Sequence, residues 1–251
     1  NFDHPEFTGI ETQDFYKVPA LADFRDESGH GTAIASAACG ITVGVAGQVK
    51  LKNVKISGID RMPTLIELGD ALNAILDHHV ATPSVPKVVN CSWTIPKSAY
   101  IENRINALLS AGVVVVGAAG NRNEDVSTLT PASMVDVIIA AASDSDDVAA
   151  GFNNFATADL PITTNYGLTI DIFAPGVDVY LAKWDGGYIK TSGTSASAGF
   201  VSGAACEMLA MVQGVQGATV RQLLIDTATK GALLLDAQKF QPHQNNLVFL
   251  L

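Results

Sequence analysis

Five apolar, β-branched runs punctuate the chain: Val49–Ile56, Lys87–Ser92, Val113–Gly117, Val137–Ala142 and Leu168–Phe173. Apolar runs without alternation predict strands covered on both faces, as in a parallel sheet. Four other stretches, Thr64–His79, Ala99–Ala111, Thr194–Val212 and Thr219–Lys230, carry apolar residues at helical spacing. In the first of them Leu65, Leu68, Leu72, Ile75 and Leu76 share one stripe. Strands and helices alternate, which predicts an α/β fold: a doubly wound, mostly parallel sheet with helices on both faces. Reactive groups in such sheets gather at the carboxyl ends of the strands. Asn153–Asn165 lacks periodicity and reads as a surface excursion, and the acidic cluster Asp144–Asp147 as a solvated loop. No repeat or linker divides residues 1–251, so a single domain is expected.

Composition narrows the partners. Hydrophobic residues make up 48% and charged residues 16% of 251 positions, which supports a large core and excludes general disorder. Lysine and arginine total 15 against 25 aspartates and glutamates, a net charge of −10, and no basic cluster is present to track phosphates. Nucleic acid is therefore not an expected partner. The longest apolar run, Gly112–Ala119, falls short of the ~18 residues of a membrane helix, so no membrane span is expected. Cys39, Cys91 and Cys206 are widely spaced in apolar surroundings without zinc-ligand spacing, and read as small core residues. The chain opens at Asn1 with neither initiator methionine nor signal peptide, and is expected to be a processed product.

Three segments could carry chemistry. Gly29-His30-Gly31-Thr32 sets a histidine between glycines before the small-residue run Ala33–Ala38; such glycines admit a close approach, although a histidine at a helix start is commonly structural. Gly193-Thr194-Ser195 puts a serine at the start of an apolar helix, where its ordinary task is capping. Val113–Val116 runs into Gly117-Ala118-Ala119-Gly120-Asn121, and an asparagine there can simply build a turn.

Together and in this order, the segments resemble the subtilisin-like serine peptidases, most closely their proteinase K branch. Asp26–Thr32 is similar to that family's histidine block, Ala118–Asn121 to its oxyanion block and Ser192–Ser195 to its nucleophile block. Supporting matches include His4-Pro5-Glu6-Phe7, Gly44-Val45-Ala46, Pro131-Ala132-Ser133, Asn165-Tyr166-Gly167 and Asp171–Gly176. The resemblance implies hydrolysis of peptide bonds, with Ser195 as nucleophile, His30 as general base and then acid, and the Asn121 side chain with the Ser195 N–H as oxyanion donors. It implies a secreted or vacuolar protein that takes a polypeptide substrate and needs no cofactor, with calcium as an occasional structural ion. Asp171, with backbone carbonyls near Val135 and Val137, matches one family calcium site.

The chain also departs from the family. The family's Asp-Thr/Ser-Gly block lies a few residues before His-Pro-Glu-Phe and so has no counterpart among these residues; neither Asp3 nor Asp26 occupies its position. The expectation is that a separate N-terminal fragment supplies the aspartate and completes the sheet, or that another strand fills its place. Burying the ~5–6 apolar residues of such a strand contributes ~1.5–3 kcal/mol each, comparable in sum with a domain's net ~5–15 kcal/mol. The opposite expectation is a catalytically impaired subunit that acts as a toxin or binding protein in complex with that fragment. The substrate-pairing edge, Ser-Leu-Gly-Gly in the family, reads Ser92-Trp93-Thr94-Ile95 here, so Ser92, Trp93, Thr94 and Gly120 are the expected substrate contacts. Ala196 replaces the family's methionine beside the nucleophile, and Gly199 its proline, so altered specificity is expected.

Overall fold

Valine-rich and isoleucine-rich runs lack a polar face, and each becomes a central strand. The computed structural model describes residues 1–151, 162–212, 214–215 and 217–248. In chain order the elements are β1 (Glu11–Lys17), α1 (His30–Cys39), β2 (Lys50–Lys55), α2 (Leu65–Ala81), β3 (Val88–Cys91), β4 (Ile95–Pro96), α3 (Ala99–Ser110), β5 (Val114–Ala118), β6 (Leu129–Thr130) and β7 (Ile138–Ser143). There follow β8 (Ile170–Pro175), β9 (Val179–Ala182), β10 (Tyr188–Thr191), α4 (Thr194–Met211), α5 (Gly217–Thr227), β11 (Thr229–Lys230) and β12 (Asn246–Leu247). The main sheet runs β11-β12-β8-β7-β5-β3. Its neighbours pair in parallel except at the antiparallel β11–β12 edge. This is the α/β architecture that the alternation predicts.

Successive residues of β5 and β7 face opposite layers, as the period of two requires. Val114, Val116, Ile138 and Ala140 pack with Ile34 of α1, Val201 of α4 and Leu224 of α5. Val113, Val115, Ile139 and Ala141 pack with Leu68 of α2 and Ile105 of α3 on the other side. Helix α2 is started by a complete capping box, in which the Thr64 hydroxyl accepts from the Glu67 N–H and Glu67 accepts from the Thr64 N–H.

Strands β1 and β2 form a separate parallel pair, Glu11 opposite Lys50 through Lys17 opposite Lys55. Each of β2 and β3 therefore has one paired edge and one edge without a strand partner among the described residues. The β2 residues from Leu51 onward and Val88, Val89 and Asn90 of β3 remain only half-buried, whereas β5 is buried throughout.

Several boundaries differ from expectation. The strand predicted at Leu168–Phe173 begins at Ile170, because the Ile170 N–H bonds back to Gly167, whose φ of +138° closes a turn that leaves Leu168 exposed. The last helix ends at Thr227, and Thr229–Lys230 turns instead into β11 against β12. Most of the predicted excursion Asn153–Asn165 lies outside the described residues, but Asn165 itself is fully buried, so its end is not surface. Asp144 caps its own tight turn, accepting from the Asp146 and Val148 N–H groups. Among the described residues no helix is long and apolar enough to cross a membrane.

Candidate active site

His30 opens α1. Gly29 precedes it with φ +80°, a left-handed conformation that costs glycine little. The cap is supplied from further back: the Asp26 carboxylate accepts from the Gly29 N–H (2.9 Å), the Thr32 N–H (2.7 Å) and the Thr32 hydroxyl (2.7 Å). Burial works to raise the Asp26 pKa, but these donors, led by the Thr32 hydroxyl, hold it below the ordinary carboxylate value. The His30 ring stands open to solvent at the mouth of a cleft whose walls still crowd it. Desolvation by those walls lowers its pKa below the usual histidine value, against the opposing pull of Asp26. Among the described residues the ring makes no hydrogen bond.

Asn121 stands just beyond the end of β5. Gly120 makes the bend with φ +101°, and a Cβ there would fall 2.4 Å from the Asn165 amide nitrogen. The Gly120 N–H donates to the Thr194 hydroxyl and its carbonyl accepts from the Asn165 N–H. Both of its backbone groups are thereby occupied, and it is buried, so Gly120 shapes the turn beneath the site. Asn165 holds the far side, accepting from the Arg122 and Glu124 N–H groups and donating to the Ala119 carbonyl. Asn121 Oδ1 accepts from both the N–H and the hydroxyl of Thr194, each at 2.9 Å. With its oxygen so engaged, the amide nitrogen is the end left to face the cleft.

Ser195 lies in the first turn of α4, where backbone N–H groups have no helical acceptor and the dipole favours negative charge. A Cβ placed on Gly193 would stand 3.7 Å from both Asn121 Nδ2 and the Ser195 nitrogen, so the two donors flank one point. His30, Asn121 and Ser195 line a single cavity of about 390 Å³. Three segments far apart in the chain thus converge, with two N–H donors set for developing negative charge and an uncharged imidazole opposite. Such an arrangement can carry nucleophilic attack at a carbonyl.

Of the predicted substrate contacts, Ser92 is tied to Ser195: its hydroxyl donates to the Ser195 carbonyl (2.9 Å) and its carbonyl accepts from Ser195 Oγ (3.3 Å). Trp93 and Thr94 follow between β3 and β4, half-buried, with no backbone hydrogen bonds among the described residues. Thr194, Asn165 and Asp26 complete the site as positioning groups. Single-chain patterning could not assign them those roles, since each acts on residues distant in sequence or through backbone N–H groups.

The calcium expectation at Asp171 needs correction. Its buried carboxylate pairs with the Arg221 guanidinium and accepts from the Ile139 N–H (3.0 Å). Burial raises its pKa, with Arg221 and the Ile139 N–H opposing. Arg221 already supplies the positive charge, so a calcium ion, which needs six to eight oxygen ligands, does not fit these residues. No group of three or more His, Cys, Asp or Glu suited to a metal occurs among the described residues. Cys39, Cys91 and Cys206 are free thiols, each pushed up to about 12 by burial.

Comparison with known proteins shows what the chain as a whole is similar to. A sequence model described as the subtilase family matches residues 2–246. Subtilisin-like protease 3 of Pseudogymnoascus destructans is 34% identical over 83% of this chain and 50% of its own length. Alkaline protease 1 of Aspergillus clavatus is 33% identical over 93% of this chain and 55% of its own. Alkaline serine exoprotease A of Vibrio alginolyticus is 30% identical over 91% and 40%. The chain thus spans about half the length of the curated relatives it matches. A crystal structure of a cold-adapted subtilisin-like serine proteinase superimposes with a TM-score of 0.87 at 27% identity, covering 100% of this chain and 85% of that one.

Proposed function

The chain belongs to the subtilase family, and from that premise we propose that it is the larger part of a serine endopeptidase acting on polypeptides. The observation that carries this reading is the convergence of His30, Asn121 and Ser195 on one cavity. Ser195 Oγ attacks the scissile carbonyl, and His30 takes its proton and returns it to the leaving amine. Asn121 Nδ2 and the Ser195 N–H hold the oxyanion, where loss of one donor costs about 10²–10³ in rate. The open backbone of Trp93 and Thr94 receives the acyl side of the substrate as an added strand. The lowered His30 pKa keeps the ring neutral, the form a base requires.

The third member of the triad is a carboxylate on a strand lying between β2 and β3, carried by a separate N-terminal fragment. Among the described residues three features support this: the partnerless edges of β2 and β3, the half-buried valines beside them, and the unpartnered ring of His30. Asp26 is unsuited to the role because it is spent on the α1 cap. A secreted or vacuolar setting suits such an enzyme. One relative is named a cuticle-degrading serine protease.

A second reading, an impaired subunit that serves as a toxin or binding protein, is favoured by the same His30 ring and by a Ser195 hydroxyl turned to the Ser92 carbonyl. A serine-directed fluorophosphonate separates the two. Labelling that vanishes in Ser195→Ala supports the peptidase; an unlabelled native protein at mildly alkaline pH supports the binding subunit. Denaturing mass spectrometry of the native sample should reveal a second, shorter polypeptide, and a single homogeneous species would remove the two-chain part.

A further inference from the structure

Two polar side chains near the start of the chain are buried without any part in the reacting set: His4 is 4% exposed and Glu6 1%. His4 Nε2 donates to the Gly187 carbonyl (2.7 Å) and its Nδ1 accepts from the Glu6 N–H (3.1 Å), so both ring nitrogens are engaged. The Glu6 carboxylate accepts from the Tyr188 hydroxyl (2.5 Å), the Thr42 hydroxyl, and the N–H groups of Thr42 (2.9 Å) and Val43 (3.2 Å). Burial works to raise the Glu6 pKa, but these donors, led by the Thr42 hydroxyl, hold it below the ordinary carboxylate value. Glycine at position 40 makes the room, since a Cβ there would stand 2.5 Å from Glu6 Oε2. A carboxylate so fully satisfied is a rigid anchor.

What the anchor holds is the turn of the β9–β10 hairpin. Tyr188 opens β10, and the bond that closes the turn, from the Lys183 N–H to the Gly187 carbonyl (3.0 Å), ends on the same oxygen that His4 grips. Gly186 and Gly187 take φ of +109° and +68° and have no side chains to pack, so the turn is placed by these outside bonds. Trp184 lies within it, and its Cδ1 is 2.8 Å from where a Gly29 Cβ would sit, so the indole rests on the backbone that leads into His30. Midway along α1 the Ser36 hydroxyl accepts from the Ala182 N–H (3.0 Å), and beyond the Gly40 cap stand Thr42 and Val43. The hairpin is thus pinned along the whole of α1, with Trp184 at the His30 end. We propose that His4, Glu6 and Tyr188 are positioning residues: they clasp the 183–187 turn so that Trp184 backs the start of α1 and shields one side of the His30 imidazole. Their effect on turnover rests on the peptidase reading, whereas the seating of Trp184 does not.

The test follows the Trp184 indole and His30 ring NMR signals, with the rate of fluorophosphonate labelling at Ser195, in the native protein and in Tyr188→Phe, His4→Ala and His4→Gln. Tyr188→Phe keeps the ring and deletes one donor to Glu6, His4→Ala deletes the grip on Gly187, and His4→Gln offers an amide N–H in place of Nε2. In the first two the indole signal should move and labelling should slow roughly tenfold, where a 1 Å misplacement costs about 10²-fold. The His30 pKa, lowered chiefly by desolvation, should rise toward its ordinary value as the indole withdraws, carrying the acid limb of labelling to higher pH. Asp26 is the charge that acts on the ring, and Lys183 in the turn is paired with Asp185; neither is altered by the substitutions. His4→Gln should recover most of the native behaviour. Should His4→Ala fail to fold, Tyr188→Phe decides alone, because that ring is 47% exposed and tolerates the change. Trp184 and His30 signals that stay in place, whatever the loss in Tm, would overturn the proposal, since a cluster serving stability alone lowers Tm without touching the site. If the native protein does not label while the signals shift as described, the peptidase reading fails and the clasp stands.

Discussion

Thr194 shows how a residue with no chemistry of its own fixes the chemistry of others. Its hydroxyl donates to Asn121 Oδ1 and accepts from the Gly120 N–H, while its own N–H donates to the same Oδ1. Thr194→Val keeps the shape and the backbone bond but leaves a buried N–H without an acceptor, which should cost about 1–3 kcal/mol in unfolding experiments. In turnover with a peptide ester kcat should fall while KM holds, because the oxyanion forms only in the transition state; a change confined to KM would contradict the positioning role. Asp26 acts through charge as well as through its cap. The His30 pKa is depressed chiefly by desolvation, and Asp26 opposes that depression. Asp26→Asn keeps an acceptor for α1 but removes the counter-pull, so the acid limb of a Ser195-labelling pH profile should move to lower pH. The consequence for stability is opposite in sign for the two groups' titrations only in appearance. A histidine with a depressed folded pKa loses stability as pH falls below its unfolded value near 6.5, and a depressed aspartate loses it as pH falls from about 3.9 through the folded value. Stability to urea should therefore fall in two steps on acidification, the upper diminished in His30→Gln, with burial of His78 supplying the remainder, and the lower diminished in Asp26→Asn.

At the scale of elements, the distance between His30 and Ser195 follows from how closely α1 and α4 pack. A Cβ on Gly203 of α4 would meet the Ala38 carbonyl at 2.3 Å and Val45 at 2.7 Å, and one on Gly199 would meet Ala37 at 2.9 Å. The helices touch through these glycines. Gly203→Ala should push α1 away, costing about 1–3 kcal/mol of overpacking strain in excess of the helix-propensity gain. Fluorophosphonate labelling should slow with it; a stabilised variant with unchanged labelling would show that the contact does not set the site. The sequence pattern made these helices legible because an apolar stripe records burial, and it made β3, β5, β7 and β8 legible because strands covered on both faces are written as unbroken apolar runs. Strand β1, Glu-Thr-Gln-Asp-Phe-Tyr-Lys, is an edge strand with a solvated face, and its polar residues conceal it. The strands of the β9–β10 hairpin, four residues each, are too short to register, which is why Trp184 could not be assigned to the site from patterning. His30, Asn121 and Ser195 were legible through their flanking motifs, whereas Thr194 and Asn165 matter through contacts made only after folding. Asp171 misled because a strand-end carboxylate looks the same in sequence whether it meets a cation or Arg221.

The whole molecule is a sheet in two pieces beneath shared helices. Helix α1 packs against α4 while Leu51 of β2 packs among residues of α1, and Ile56 after β2 shares the α2 layer with Val89 of β3. Both helical layers therefore bridge the interval between β2 and β3. Along any parallel strand, successive N–H groups point alternately to the two neighbours, so half of the β3 amides are spoken for by β5 and half face the interval. Hydrogen exchange read at single residues decides what occupies it. With a strand in place, every amide from Val88 to Cys91 should exchange slowly, and those of Lys52–Lys55 likewise; with the interval open, slow and fast amides should alternate. A strand held without a covalent link also makes stability a mass-action quantity, because dilution releases it. Raising the protein concentration tenfold should then raise Tm measurably, whereas a continuous chain would melt at one temperature throughout. Alternating exchange together with a concentration-independent Tm would mean that the interval is empty, and His30 would then lack any route to an orienting carboxylate.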